Sequence, residues 1–538
     1  MVTPLIMADG DSKSLSLVPF LLLILITAPA VTGDSLDSDS QVLLSFKSYL
    51  ESWNPTERGK YNEWETEKKD VCHLFRNFSA LTQLTFLDLS SNTIGGSIPD
   101  DLNRCHNLKY LNLSHNIIGG ELSLSGLSNL EVLDLSVNQI AGEVHSTFPT
   151  LCNSLVVANL SNNNFSGRID DIFNEGNCTL QVLDLCGNGF VGEFPGQVSN
   201  CHNLNVLDLW GNNFTGNIPA EIGSISSLRG LHLGKNEFSR DIPETLLNLS
   251  NLVFLGLSRN NFGGDVQGIF GRFTQSLTFL ILAYNNFSGD IPREYGNMPR
   301  LQALDLSSNR LTGSIPASFG KLTSLLWLML ANNSLSGEIP REIGNCSSLL
   351  WFNVANNQLS GKLPIEIGLL PLVFLNLTRN KFSGQIPQEI GNLSSLQNLD
   401  LSYNNFSGNF PTSLNDLSEM SKFNISYNPF ISGVVPYRGQ LATFEKDSFL
   451  GNPLLQLPSF FNQSGNNNTS SGERDNGREE EDDDGASIDM LVFYWSTFSF
   501  YVVALMGILV LVYFDCPWCR AWLRLVEAFT VSLKIMLS

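Results

Sequence analysis

Residues 301–324 read LQALDLSSNRLTGSIPASFGKLTS, and the placing of their apolar side chains decides the fold. Leucine stands at 301, 304 and 306, asparagine at 309, and Leu-Thr-Gly-Ser-Ile-Pro follows. The alternation around Leu304 and Leu306 predicts a short strand with the leucines turned inward and Ala303, Asp305, Ser307 and Ser308 turned to solvent. Aligning on Asn309 finds equivalents at Asn92, 116, 138, 163, 188, 212, 236, 260, 285, 333, 357, 380, 404 and 428, fifteen positions in all and 22 to 25 residues apart. A period of that length predicts a solenoid whose strands stack into one parallel sheet lining a concave face. The asparagine falls where the chain turns inward, and its amide offers two donors and an acceptor to backbone groups that the turn leaves unpaired. The glycine of LTGSIP serves a tight corner and the proline stops regular pairing. A short helical segment such as ASFGKL then brings the chain back along the outside.

LxxLxLxxN is the leucine-rich repeat spacing. The motif after it stands nearly intact at FTGNIP (214–219), FSGDIP (287–292), LSGEIP (335–340) and FSGQIP (382–387). This LxGxIP form resembles the plant-specific class of repeat found in cell-surface receptor kinases and receptor-like proteins. The resemblance implies a leucine-rich repeat α/β solenoid, a right-handed superhelix with a parallel concave sheet. FRNFSALTQLTFLDLSSNTIGGSIP, and TFEKDSFLGNPLLQLPSFFNQSGNN after the last repeat, resemble the ectodomain of nematode-induced leucine-rich repeat receptor-like kinases over roughly 40–468. FYWSTFSFYVVALMGILVLVYFDCPWCRAWLRLVEAF instead resembles the C-terminus of kinase-less receptor-like proteins. That family implies signalling through an adaptor receptor kinase and a shared short-ectodomain coreceptor kinase.

The rest of the chain reads as a membrane protein. Lys13 and the run LSLVPFLLLILITAPA predict a signal peptide over 1–33. An N-terminal cap is expected at 34–80, where Cys72 stands without the usual second cysteine, then about fifteen repeats at 81–436 and a C-terminal cap at 437–470. An acidic linker at 471–490 precedes an uncharged 24-residue run at 491–514, long enough to span a bilayer as a single transmembrane helix. Arg520, Arg524 and Lys534 in the tail at 515–538 place that end in the cytoplasm, giving a single-pass type I protein of the plasma membrane with its N-terminus outside. The acidic run Glu479 to Asp484 is either a solvated spacer or a partner for a basic segment of an associated kinase.

Composition excludes several functions. A net charge of −21 argues against nucleic acid, since phosphates are held by clustered Lys and Arg. The 24-residue tail has no room for a kinase domain, and the six histidines form no paired spacing, so no enzyme, cofactor or metal site is expected. Among the cysteines, Cys178 and Cys201 fall on consecutive turns and can bridge, since stacked strands lie about 5 Å apart. The other reading of these residues, with Cys105, Cys152 and Cys346, is as small buried apolar side chains. Seventeen N-x-Ser/Thr sequons are glycosylation candidates, among them Asn77, Asn112, Asn164, Asn213, Asn286, Asn332, Asn405 and Asn424.

The third position of LxxLxLxxN gives Phe254, Phe279, Ala303, Trp327, Trp351 and Phe374 in six consecutive repeats. A row of solvent-facing aromatics predicts a recognition surface. Lys235 and Arg259 share another column and can hold a carboxylate. No long insertion breaks the period, so the island domain of steroid receptors is absent and an extracellular peptide or small elicitor is the expected ligand. The expected function is a receptor that recruits kinases, which the family resemblance places in plant immunity. The alternatives are a non-signalling decoy or inhibitor-type interaction protein, or a shortened receptor kinase.

Overall fold

The structure is a computed structural model and describes residues 84–144, 153–169, 173, 178–266, 276–436 and 438–457. The signal peptide, the N-terminal cap with Cys72, Asn77, Cys152, the acidic linker, the apolar run 491–514 and the tail lie outside the described residues. Among the described residues no helix is long and apolar enough to cross a membrane.

Fifteen three-residue strands, from Phe86–Asp88 to Lys422–Asn424, form one parallel sheet in chain order. Register is kept from strand to strand, with Ala303 opposite Trp327, Leu304 opposite Leu328 and Asp305 opposite Met329. The central residue of each strand points inward, as the alternation demands, and Leu304, Leu328, Phe352 and Leu375 are fully buried. Asn309 behaves as expected. Its Nδ2 donates to the carbonyls of Leu282, Leu306 and Ser307 at 3.0, 3.1 and 3.2 Å, and its Oδ1 accepts the Phe287 N–H at 3.0 Å. One amide thus satisfies groups of its own turn and of the turn before it. The residue just ahead of each ladder asparagine takes a left-handed conformation, with φ of 51° at Lys235 and 56° at Arg259.

The sequence reading placed one sheet, and the fold has a second layer. The LxGxI segment alternates too, burying Phe238 while Glu237 stays exposed, and so pairs as strands. Glu237–Arg240 joins one six-stranded parallel sheet, a second holds Ser336–Gly337 through Leu455–Gln456, and two-stranded pieces complete the layer. Beneath it Phe165, Phe190, Phe214, Phe238, Phe262 and Phe287 stack at centroid spacings of 6.1, 6.4, 6.0, 6.0 and 6.5 Å. Such contacts add about 0.5–1.5 kcal/mol per pair beyond burial.

The segment ASFGKL folds as the 3₁₀ helix Ala317–Lys321, opened by Pro316. These short helices stack closely enough that a Cβ on Gly320 would run into the Glu342 carbonyl. The repeat also continues one turn beyond the expected boundary at 436. Asn452 donates to the carbonyls of Ile425 and Phe449 and accepts the Asn428 N–H, acting as a sixteenth ladder asparagine inside the expected C-terminal cap. Its turn, KDSFLGN, lacks the inner leucines that define the pattern, which hid it from alignment.

Cys105 and Cys346 are fully buried, and the Cys346 thiol donates to the Phe319 carbonyl at 3.1 Å. Burial pushes that thiol up to about 11. Cys178 and Cys201 are joined by a disulfide across neighbouring turns, with their Cα atoms 4.8 Å apart.

Candidate functional site

The open face of the fifteen-stranded sheet carries two outward columns, one from the first and one from the third residue of each strand. The first column includes the aromatic row. Trp327 meets Trp351 edge to face at 6.5 Å, and Trp351 stacks on Phe374 at 5.1 Å. These three and Phe279 are half-buried. Phe254 corrects the expectation. It is only 5% exposed, because Gly256 leaves a bare backbone onto which its ring folds, with His232 edge-on at 5.2 Å and Phe279 at 6.1 Å. Ala303 is buried between flanking aromatic strands.

Lys235 and Arg259 are likewise not on the strands. They occupy the left-handed turn position beside the ladder, where the Lys235 ammonium sits 5.0 Å above the Trp210 ring and the Arg259 guanidinium 4.8 Å above Tyr284. Arg259 and Tyr284 line a shallow cleft of about 480 Å³ with Asn236, Glu237, Ser239, Asn260 and Asn261.

The second column is polar. In most turns an Asp or Asn there accepts the N–H two residues on: Asp88 from Ser90, Asn112 from Ser114, Asp134 from Ser136, Asp305 from Ser307, Asp400 from Ser402. Where that second residue is serine its hydroxyl also binds the carboxylate at Asp134, Asp305 and Asp400. Burial raises all three carboxyls above their ordinary range despite these hydrogen bonds.

One place departs from the pattern. Asp184 and Asp208 face each other on paired strands, the thiol of Cys186 lies beside them, and His232 Nδ1 stands 3.0 Å from Asp208 Oδ2. Ligand atoms of Asp184, Cys186 and Asp208 all lie within 4.8 Å of one another. Burial and then the neighbouring Asp208 raise Asp184, and burial followed by Asp184 raises the Cys186 thiol well above its usual range. The sequence reading expected no metal-ligating set, since it sought spacing along the chain. The signal lay across repeats: LDLCGN, LDLWGN and LHLGKN are consecutive and put Asp, Asp and His in one column.

The family models match at many places. Leucine rich repeat models align with residues 299–359, with 83–105, 179–201, 203–225, 276–298, 371–393 and 395–417, and with 104–121. The chain carries leucine-rich repeats. It is 53% identical over 185 residues to a probable LRR receptor-like serine/threonine-protein kinase of Arabidopsis thaliana, covering 29% of this chain and 17% of that protein. It is 47% identical over 98 residues to Receptor like protein 21 of the same plant, covering 18% of this chain and 10% of the relative. The Arabidopsis receptor kinase HAESA, solved in complex with the peptide hormone IDA and the co-receptor SERK1, superposes with a TM-score of 0.61 at 33% identity, covering 71% of this chain and 63% of that one. The chain therefore spans under a fifth of each of these two curated relatives and under two thirds of the solved ectodomain.

Among the sequons, Asn164, Asn213, Asn332 and Asn405 are exposed and Asn286 is half-buried. Asn112 and Asn424 stand on the open sheet face with Oδ1 already accepting the N–H of Ser114 and Ser426.

Proposed function

We propose that this protein is a cell-surface receptor that binds an extracellular peptide or small elicitor along the open face of its sheet. In this reading it passes the signal, in plant immunity, to an adaptor receptor kinase and a short-ectodomain coreceptor kinase. The observation that carries it is the half-buried aromatic row Phe279, Trp327, Trp351 and Phe374, apolar area held outward at fixed register and interrupted only at Ala303. Support comes from similarity to a receptor solved with a peptide hormone and a co-receptor, and to receptor-like proteins. The N-terminal apolar run, the run 491–514 and the sequons support placement in the plasma membrane as a glycosylated single-pass protein.

Trp327→Ala with Trp351→Ala tests the reading. Expressed at the plant cell surface, the double variant should reach the membrane at the parent's level and lose the response to pathogen extract. Retention as misfolded protein would make the row structural. Response intact at full surface level would move recognition off this face. A parent chain that captures ligand but brings down no kinase would be a decoy.

A further inference from the structure

We infer that Asp184, Cys186 and Asp208 form a zinc-class divalent cation site on the open face of the sheet, with His232 holding Asp208 in place. The site lies outside the aromatic row and stands independently of the receptor reading.

The argument starts from the column. Its members on the fifteen strands run Asp88, Asn112, Asp134, Asn159, Asp184, Asp208, His232, Gly256, Ile281, Asp305, Met329, Asn353, Asn376, Asp400 and Asn424. Every other aspartate of the column is paired only with neutral residues, so no other two carboxylates confront each other across the ladder. Asp184 and Asp208 alone break this rule, and they do so at Cα-paired positions. Adjacent half-buried carboxylates repel, and either a proton held on one of them or a cation bound between them relieves the repulsion.

One oxygen of each carboxylate is tied to the backbone. Asp184 Oδ1 accepts the Cys186 N–H at 3.0 Å and Asp208 Oδ1 accepts the Trp210 N–H at 2.9 Å. The residues two places on are cysteine and tryptophan in place of the usual serine, so no hydroxyl caps these two carboxylates, and at Asp184 a soft thiolate donor is supplied instead. His232 Nδ1 meets Asp208 Oδ2 at 3.0 Å, the outer contact that commonly orients a metal-bound group. The Lys235 ammonium lies over the Trp210 ring, and no Lys or Arg ion pair with either carboxylate is formed among the described residues.

The geometry suits a small ion. Zinc ligands at about 2.0–2.3 Å in a tetrahedron lie about 3.3–3.8 Å apart. Three atoms already within 4.8 Å of one another need side-chain adjustment of about an ångström. A mixed carboxylate and thiolate set favours zinc over the oxygen-only calcium and magnesium. With three protein donors, the fourth position opens toward the face of the sheet.

The test uses the purified full-length chain, titrated with Zn²⁺ alone against a chromophoric chelator, and with Cd²⁺ to read thiolate-to-metal absorption in the ultraviolet. One equivalent should bind, with the charge-transfer band. Asp184→Asn, Asp208→Asn and Cys186→Ser should each abolish that equivalent. These variants copy residues the same columns carry at Asn159 and Ser161, so folding is preserved. His232→Gln should weaken binding about 10–100-fold, and Asp305→Asn should change nothing. No zinc taken up by the parent, no thiolate band, or an equivalent indifferent to Cys186→Ser would each overturn the assignment.

Discussion

Two stretches of one sheet, the strands carrying Asp184, Asp208 and His232 and those carrying Trp327, Trp351 and Phe374, share an inner face and differ completely on the outer one. Inside, Leu183, Leu207 and Leu231 of the first stretch match Leu328, Phe352 and Leu375 of the second, all fully buried. Outside, one stretch collects charge and thiol while the other collects aromatic area. The inner positions hold the fold by excluding water, so the outer ones are free to vary, and chemistry accumulates there without cost to the core.

This contrast can be broken by finding fold energy on the outer face. The largest effect is expected from Phe352→Ala, which empties a fully buried site on the inner side of the strand that carries Trp351 and should cost about 3–5 kcal/mol in denaturant unfolding. Trp351→Ala, its outward neighbour, should cost only about 1 kcal/mol, the worth of its stacking on Phe374. Equal losses would refute the division. Next comes Asn309→Ala, which strands the Leu282 carbonyl and the Phe287 N–H and should cost about 1–3 kcal/mol. Faster amide exchange should appear at Phe287 in the preceding turn, and exchange unchanged there would show the ladder to be ornamental.

The smallest effect sharpens the outer column. Asp305 is raised by burial, so its protonated form is favoured in the folded state, and that contribution is present in acid and lost as pH climbs from about 3.9 through the raised value. Asp305→Asn should therefore gain in melting temperature over the parent as pH rises across that window, with no difference below it. A gap that is constant with pH would put the ionisation elsewhere.

The inner face was legible because period and pattern are local: Leu304, Leu306 and Asn309 announce strand, turn and repeat within nine residues. The outer face was legible only in part. Phe254 was expected in solvent, yet a glycine two residues on, Gly256, gave its ring a seat, and the pattern of a single repeat does not reveal what a neighbouring gap will accept. Lys235 and Arg259 were assigned to the recognition face, but the left-handed turn swings them onto Trp210 and Tyr284. The Asp184 cluster escaped because Asp184, Asp208 and His232 are spaced 24 residues apart and become neighbours only through register.

The asparagine ladder also has a direction. Asn309 reaches back to Leu282 and Phe287, Asn404 back to Leu377 and Phe382, and Asn452 back to Ile425 and Asn428. In each of these turns the ladder bonds are thus completed by the asparagine of the turn that follows. During synthesis from the N-terminus, a nascent chain carries one open turn at its growing end, closed when the next asparagine leaves the ribosome. Order is laid down in the direction of translation, and a break anywhere in the ladder leaves its unfinished edge on the N-terminal side of the break.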